Sequence, residues 1–130
     1  PVDRRQRQMC IRDRSKTAAL LTSSLKLGAM SAGATDKKVQ HLEEFGRCTG
    51  LAFQVIDDIL DVTQSSKTLG KSAGKDEAVN KATYPAIHGL DKSRSLAEKL
   101  TKQAINALKP FKSKGKRLEE LANYLLDREY

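Results

Sequence analysis

The sequence predicts an all-α fold, on three observations. Its 130 residues, 38% apolar and 31% charged, allow about one domain built on one core. From Ser15 onward the apolar residues recur at helical spacing. Nowhere do Val, Ile, Thr or aromatic residues alternate with polar ones over the length of a strand.

Ser15 is a fitting N-cap for a first helix running to about Ala32. Leu20, Leu21, Leu25, Leu27, Ala29 and Met30 leave that helix little polar surface beyond Lys16 and Lys26, so it is expected to be buried. Thr35 or Asp36 can cap a second helix from about Lys37 to Val62, whose Val39, Leu42, Phe45, Ala52, Ile56 and Ile59 stand three, four and seven residues apart. The stretch TQSSKTLGKSAGKDEAVNKAT, Thr63 to Thr83, supplies no core stripe and reads as a long loop, a feature usually functional or disordered in compact domains. Tyr84-Pro85 places a proline where a first helical turn tolerates it, and Gly89 offers a stop, which defines a short third helix. Asp91 can cap a fourth, with Leu96, Leu100, Ala104, Ala107 and Leu108 on its apolar face, ended by Lys109-Pro110. Leu118, Leu121, Ala122, Leu125 and Leu126 then sit at i, i+3, i+4, i+7 and i+8 of a fifth helix from about Lys116 to Arg128. The first helix is too apolar for these partners to cover, which implies a further half of the bundle outside this sequence.

Composition narrows the function classes. No apolar run approaches the roughly 18 to 20 residues needed to cross a bilayer, so a membrane span is not expected. Cys10 and Cys48 are too few for a disulfide scaffold and wrongly spaced for structural zinc, so a reducing compartment fits and no cysteine chemistry is implied. The formal charge of +8 raises nucleic acid as a partner, but Arg4, Arg5, Arg7, Arg12 and Arg14 crowd the first 14 positions. That segment, 1–14, has no apolar periodicity, and RRQRQMCIRDR looks like translated sequencing-adapter read-through; it is expected to be disordered and to carry no chemistry. Setting aside its five arginines and its Asp3 and Asp13 lowers the net charge to +5. No clustered basic face with interleaved aromatics then remains, and nucleic-acid binding is not expected.

Chemistry concentrates in Asp57-Asp58-Ile59-Leu60-Asp61, preceded by Phe53-Gln54-Val55-Ile56 on the second helix. Asp57 and Asp61 are one turn apart, with Asp58 about 100° round the axis, so three carboxylates crowd one helix edge. Such crowding is unfavourable unless a cation joins it. Mg²⁺ prefers oxygen ligands and keeps several waters, so one or two carboxylates with phosphate oxygens complete its shell. A solvated acidic helix end is the alternative reading of these residues taken alone. Lys71, Lys75 and Lys81 follow in the loop, where ammonium groups can hold phosphate oxygens or stand as ordinary solvated charge. Lys16-Thr17 opens the first helix, an electropositive end at which a cation is poorly placed unless it meets an anion. Gln54 stands one turn before Asp57, set to contact whatever Asp57 holds or simply packed or solvated as an amide.

SKTAALL, GLAFQVIDDILDVT, LGKSAGKD and NKATYP occur in an order and spacing that resembles the C-terminal half of trans-isoprenyl diphosphate synthases, most closely geranylgeranyl diphosphate synthases. The resemblance covers Ser15 to Tyr130, so 15–130 is expected to be the C-terminal part of a polyprenyl synthetase domain, half of the isoprenoid synthase helix bundle. It implies that Asp57, Asp58 and Asp61 form the second aspartate-rich motif and bind Mg²⁺, with Asp57 the direct ligand. It implies that Lys16, Thr17, Gln54 and Lys71 contact an allylic diphosphate, with Lys81 near the same pocket, Lys16 and Lys71 acting catalytically, and Asp76 supporting the network. Asn80 departs from the Asp more common before Lys-Ala-Thr-Tyr-Pro, which puts fine pocket electrostatics in doubt. The activity implied is condensation of an allylic diphosphate with isopentenyl diphosphate by a full-length homodimer in cytoplasm or plastid. The first aspartate-rich motif, the isopentenyl diphosphate pocket and the chain-length residues belong to the other half, so this stretch alone is expected to be inactive. A class I terpene cyclase and a non-catalytic helical partner subunit are the alternatives; Gln54 and the lysines argue against the first, the retained aspartates against the second.

Overall fold

The computed structural model describes residues 2–68 and 83–128, with side chains described over 16–64 and 83–128. Among these, five α-helices follow in order: α1 (Val2–Ser31), α2 (Asp36–Thr68), α3 (Tyr84–His88), α4 (Leu90–Ala107) and α5 (Lys116–Leu126), with a 3₁₀ segment (Lys109–Gly115) before the last. No strand occurs among the described residues, in line with the all-α expectation.

Helix α2 is the hub, packed on one side by α1 and on another by α4. Its Phe45, Cys48, Ala52, Val55, Ile56 and Ile59 are almost wholly excluded from solvent and meet Ala97, Ala104 and Ala122 from the later helices. Burying each such Val or Ile contributes about 1.5–3 kcal/mol, so this stripe carries much of the stability of the half-bundle.

The α1–α2 hairpin is set by its turn. Gly33 adopts φ 71°, the Gly33 N–H donates to the Met30 carbonyl, and the Ala34 N–H donates to the Ala29 carbonyl, each at 3.0 Å. These two bonds form a Schellman C-cap, which needs a left-handed residue that glycine adopts without steric cost. Thr35 then caps α2: its Oγ1 accepts from the Lys38 N–H at 3.4 Å. From the turn the helices run antiparallel at unusually close range. A Cβ placed on Gly50 would lie 2.6 Å from Ala18 Cα, and one on Gly46 would lie 2.9 Å from Thr22 Cα. Lys26 and Glu43 pair across the same interface at 2.8 Å.

Several expectations are corrected. The first helix starts at Val2, so the stretch before Ser15 is helical and Ser15 lies inside α1. Arg, Gln, Met and Ile tolerate a helix, and no Gly or Pro interrupts them after Pro1. Within this chain α1 is not buried, in keeping with its being too apolar for these partners to cover: Leu20, Leu27 and Met30 are 71%, 65% and 58% exposed, because α2 covers only the side that carries Ala18 and Ala29. Helix α2 continues past Val62 to Thr68, since no Gly or Pro occurs before Gly70 and Thr63 Oγ1 folds its polarity back onto the Ile59 carbonyl at 2.9 Å. Gly89, at φ 88°, ends α3 and is also the N-cap of α4, which leaves Asp91 in the first turn of α4. The last helix stops at Leu126, two residues short of Arg128. The short α3 matches its expectation, with Thr83 Oγ1 accepting from the Ala86 N–H at 3.3 Å.

Candidate active site

On α2 the residues at about 100° intervals put Asp57, Asp61, Gln54 and Asp58 within one arc of about 100°, roughly opposite the Cys48–Ile59 stripe that faces the core. The buried stripe fixes the helix rotation, and that rotation keeps the acids off the core, on the side of α2 that also carries Gly46 and Gly50: Asp57 and Asp58 are half-buried and Asp61 is exposed. The Gln54 side-chain amide donates to Asp58 Oδ1 at 3.2 Å. Asp57 Oδ1 accepts a charge-assisted hydrogen bond from Arg128, whose guanidinium also lies over the Phe53 ring, 5.3 Å from its centroid. Gln54 and Asp58 on this edge thus orient one another, and Asp57 is engaged with a cation.

Arg128 and Phe53 carry no role in the sequence reading. Arg128 stands 71 residues from Asp57, and its only local signal is a basic residue just past the last apolar stripe.

The antiparallel register that pairs Ala18 with Gly50 and Thr22 with Gly46 puts Lys16 and Thr17 at the level of Ala52 and Leu51, within one turn of Gln54 along the axis. Lys16 is exposed and Thr17 half-buried. The glycines at the α1–α2 contact therefore govern how near these two residues come to the acidic edge. Lys71, Lys75, Asp76 and Lys81, together with Asn80, lie outside the described residues.

The donor chemistry of the edge fits Mg²⁺: carboxylate oxygens, reachable by water, with one of them already directed at a positive group. Among the described residues no group of three or more His, Cys, Asp or Glu side chains is gathered to hold a metal ion.

Away from this edge, an apolar cavity of about 400 Å³ lies between α1, α2 and α5, lined by Leu21, Leu25, Leu42, Phe45 and Leu125. Thr49 also borders it; its hydroxyl is buried without a hydrogen-bond partner among the described residues, at a cost of about 1–3 kcal/mol.

Cys48 is shielded completely from solvent, with Sγ 3.4 Å from Glu44 Oε1, and burial, followed by the Glu44 contact, pushes its thiol up to about 11. The adjacent Arg47 guanidinium holds Glu44 below the usual carboxylate range. With the folded thiol raised above its ordinary value of 9.0, the native state retains a proton that the unfolded state releases, so stability falls as pH rises from about 9 to about 11. Site-resolved mass spectrometry after iodoacetamide treatment at pH 8 is expected to show Cys48 unmodified under native conditions and modified in urea; native labelling would contradict this.

No helix among the described residues is long and apolar enough to cross a membrane. The Polyprenyl synthetase family model matches residues 7–125. The chain is 53% identical over 115 residues to a chloroplastic geranylgeranyl pyrophosphate synthase of Catharanthus roseus, covering 88% of this chain and 32% of that protein. It is 55% identical over 115 residues to the chloroplastic heterodimeric geranylgeranyl pyrophosphate synthase large subunit 1 of Arabidopsis thaliana, covering 88% and 31%. Among solved structures it is similar to a candidate farnesyl-diphosphate synthase from Marinomonas sp. MED121, at 38% identity and a TM-score of 0.71, covering 86% of this chain and 36% of that one. The chain therefore spans about a third of the length of the curated relatives it matches. With an all-helical fold, an edge of aspartates on α2 and a family match along nearly its whole length, the chain belongs to the polyprenyl synthetase family.

Proposed function

We propose that the whole protein is a Mg²⁺-dependent trans-prenyltransferase that condenses an allylic diphosphate with isopentenyl diphosphate, geranylgeranyl diphosphate being the product. The observation that carries this reading is the α2 edge, where Asp57 already meets a cation and Gln54 holds Asp58. The names of the two plant relatives support the product and, both being chloroplastic, a plastid location. The working form is a homodimer.

Asp57, Asp58 and Asp61 hold the metal, with Asp57 as direct ligand. When bound, Mg²⁺ neutralises negative charge as pyrophosphate departs. Lys16 and Thr17 bind the allylic diphosphate from α1, and Lys71 and Lys81 add positive charge from the sequence after α2. Lys16 and Lys71 act where negative charge develops, which is electrostatic preorganisation. The allylic C–O bond breaks with its electron pair leaving on pyrophosphate, the isopentenyl double bond bonds to the allylic carbon, and a proton is lost from the adduct. Apolar helix faces keep water from the carbocation. The 130-residue stretch alone is inactive, since the other substrate's pocket is supplied by the rest of the bundle.

The test is a product assay on the full-length enzyme with farnesyl diphosphate, isopentenyl diphosphate and Mg²⁺. A C20 diphosphate is the expected product, and Lys16→Ala is expected to raise KM for the allylic substrate about tenfold, the scale of one lost charge-assisted contact. A cyclised hydrocarbon made from the allylic substrate alone would overturn the reading in favour of a cyclase.

A further inference from the structure

We propose that Arg128 is a resident counter-ion of the acidic edge: a positioning residue that holds the Asp57 carboxylate in place and yields Oδ1 when a divalent cation binds. The inference rests on the reading of Asp57 as a metal ligand.

The backbone delivers Arg128 to this position. Helix α5 ends at Leu126, the Asp127 N–H donates to the Asn123 carbonyl at 2.7 Å, and the Arg128 N–H donates to the Leu126 carbonyl at 3.0 Å, so the chain turns just beyond the helix. Leu126 is buried and, with Asp127 and Ile56, lines a cleft of about 530 Å³. The anchor two residues before Arg128 thus borders the same cleft as the residue immediately before Asp57.

The side chain completes the arrangement. Phe53 lies one turn before Asp57, so a guanidinium resting 5.3 Å from its ring centroid is directed along the helix edge toward the carboxylate it bonds. Arginine suits the role because its charge is permanent and its planar head can stack and donate at once. Arg128 and Asp57 remain 38% and 41% exposed in their side chains, so their pair is screened by solvent and readily exchanged. A carboxylate oxygen engaged by the guanidinium is withheld from a metal, so cation and arginine compete for it.

The test uses the full-length enzyme with Mn²⁺ alone as probe, free ion being counted by electron paramagnetic resonance. Apparent affinity scales with the fraction of protein in which Asp57 is free, so Arg128→Gln is expected to tighten Mn²⁺ binding about fivefold. Arg128→Lys, which keeps a cation, is expected to stay within about twofold of wild type. On an Asp57→Asn background the Gln substitution is expected to change nothing. Equal affinity in wild type and Arg128→Gln, or the same tightening without the Asp57 carboxylate, overturns the proposal alone. Wild-type Mn²⁺ affinity in Asp57→Asn itself overturns the metal reading, and the proposal with it. Far-UV circular dichroism of each variant separates these results from loss of fold.

Discussion

Replacing Asp57 by Ala in the full-length enzyme is expected to reduce turnover by about 10²- to 10³-fold, the scale of losing one preorganised group where charge develops, while leaving helical content unchanged. Two magnitudes decide this pairing of outcomes. In the fold, Asp57 contributes one partly exposed ion pair to Arg128, worth about 0–1 kcal/mol, and its side chain lies outside the buried stripe of Phe45, Cys48, Ala52, Val55, Ile56 and Ile59. In the proposed reaction it would supply the direct metal contact, and metal stabilisation of a departing anion is worth several kcal/mol. Catalytic loss should therefore far exceed loss of stability. Turnover, circular dichroism and a thermal melt on the same preparation check it. Near-normal turnover would remove the metal role, and lost helicity would make Asp57 a structural residue.

Two alanine substitutions at helical glycines are expected to act in opposite directions. At Gly50 a new Cβ meets Ala18 Cα at 2.6 Å and Ala18 Cβ at 3.0 Å, and the first of these is backbone that cannot swing aside. The helices must separate, at about 1–3 kcal/mol for overpacking, which outweighs the roughly 0.5–1 kcal/mol that Ala gains over Gly inside a helix. At Gly28 nothing lies within 4 Å of the added carbon, so only the helix gain remains and Gly28→Ala should stabilise. Urea denaturation of the full-length protein measures both signs. Separation at Gly50 also moves Lys16 and Thr17 away from the level of Gln54, so Gly50→Ala should raise KM for the allylic diphosphate and Gly28→Ala should not. Equal behaviour of the two variants would show that α1–α2 contact distance does not govern the site.

Helical class, the buried stripe of α2 and the shared arc of Gln54, Asp57, Asp58 and Asp61 were all legible in the sequence. Each follows from hydrogen bonding and periodicity within one helix, where a residue's face is set by its spacing from neighbours a few positions away. The Tyr84-Pro85 start and the Gly89 stop were readable for the same reason, being local backbone chemistry. Extents were less legible. Ser15 and Val62 look like boundaries, yet capping preference is weak beside continued helical bonding through Val2–Arg14 and Thr63–Thr68, where no Gly or Pro forces a stop after Pro1.

Only the tertiary structure decided the rest. That the helices of this chain leave α1 partly uncovered was expected from its apolar surface; that Leu20, Leu27 and Met30 are the residues left exposed depends on which side α2 packs against. Gly46 and Gly50 read as ordinary small residues until the hairpin places the backbone of α1 within van der Waals reach of them. The pairing of Arg128 with Asp57 bridges 71 residues and exists because α5, packed on α2, ends where the following turn can reach the acidic edge. Spacing along one helix determines which residues share a face; only packing between helices determines what that face meets.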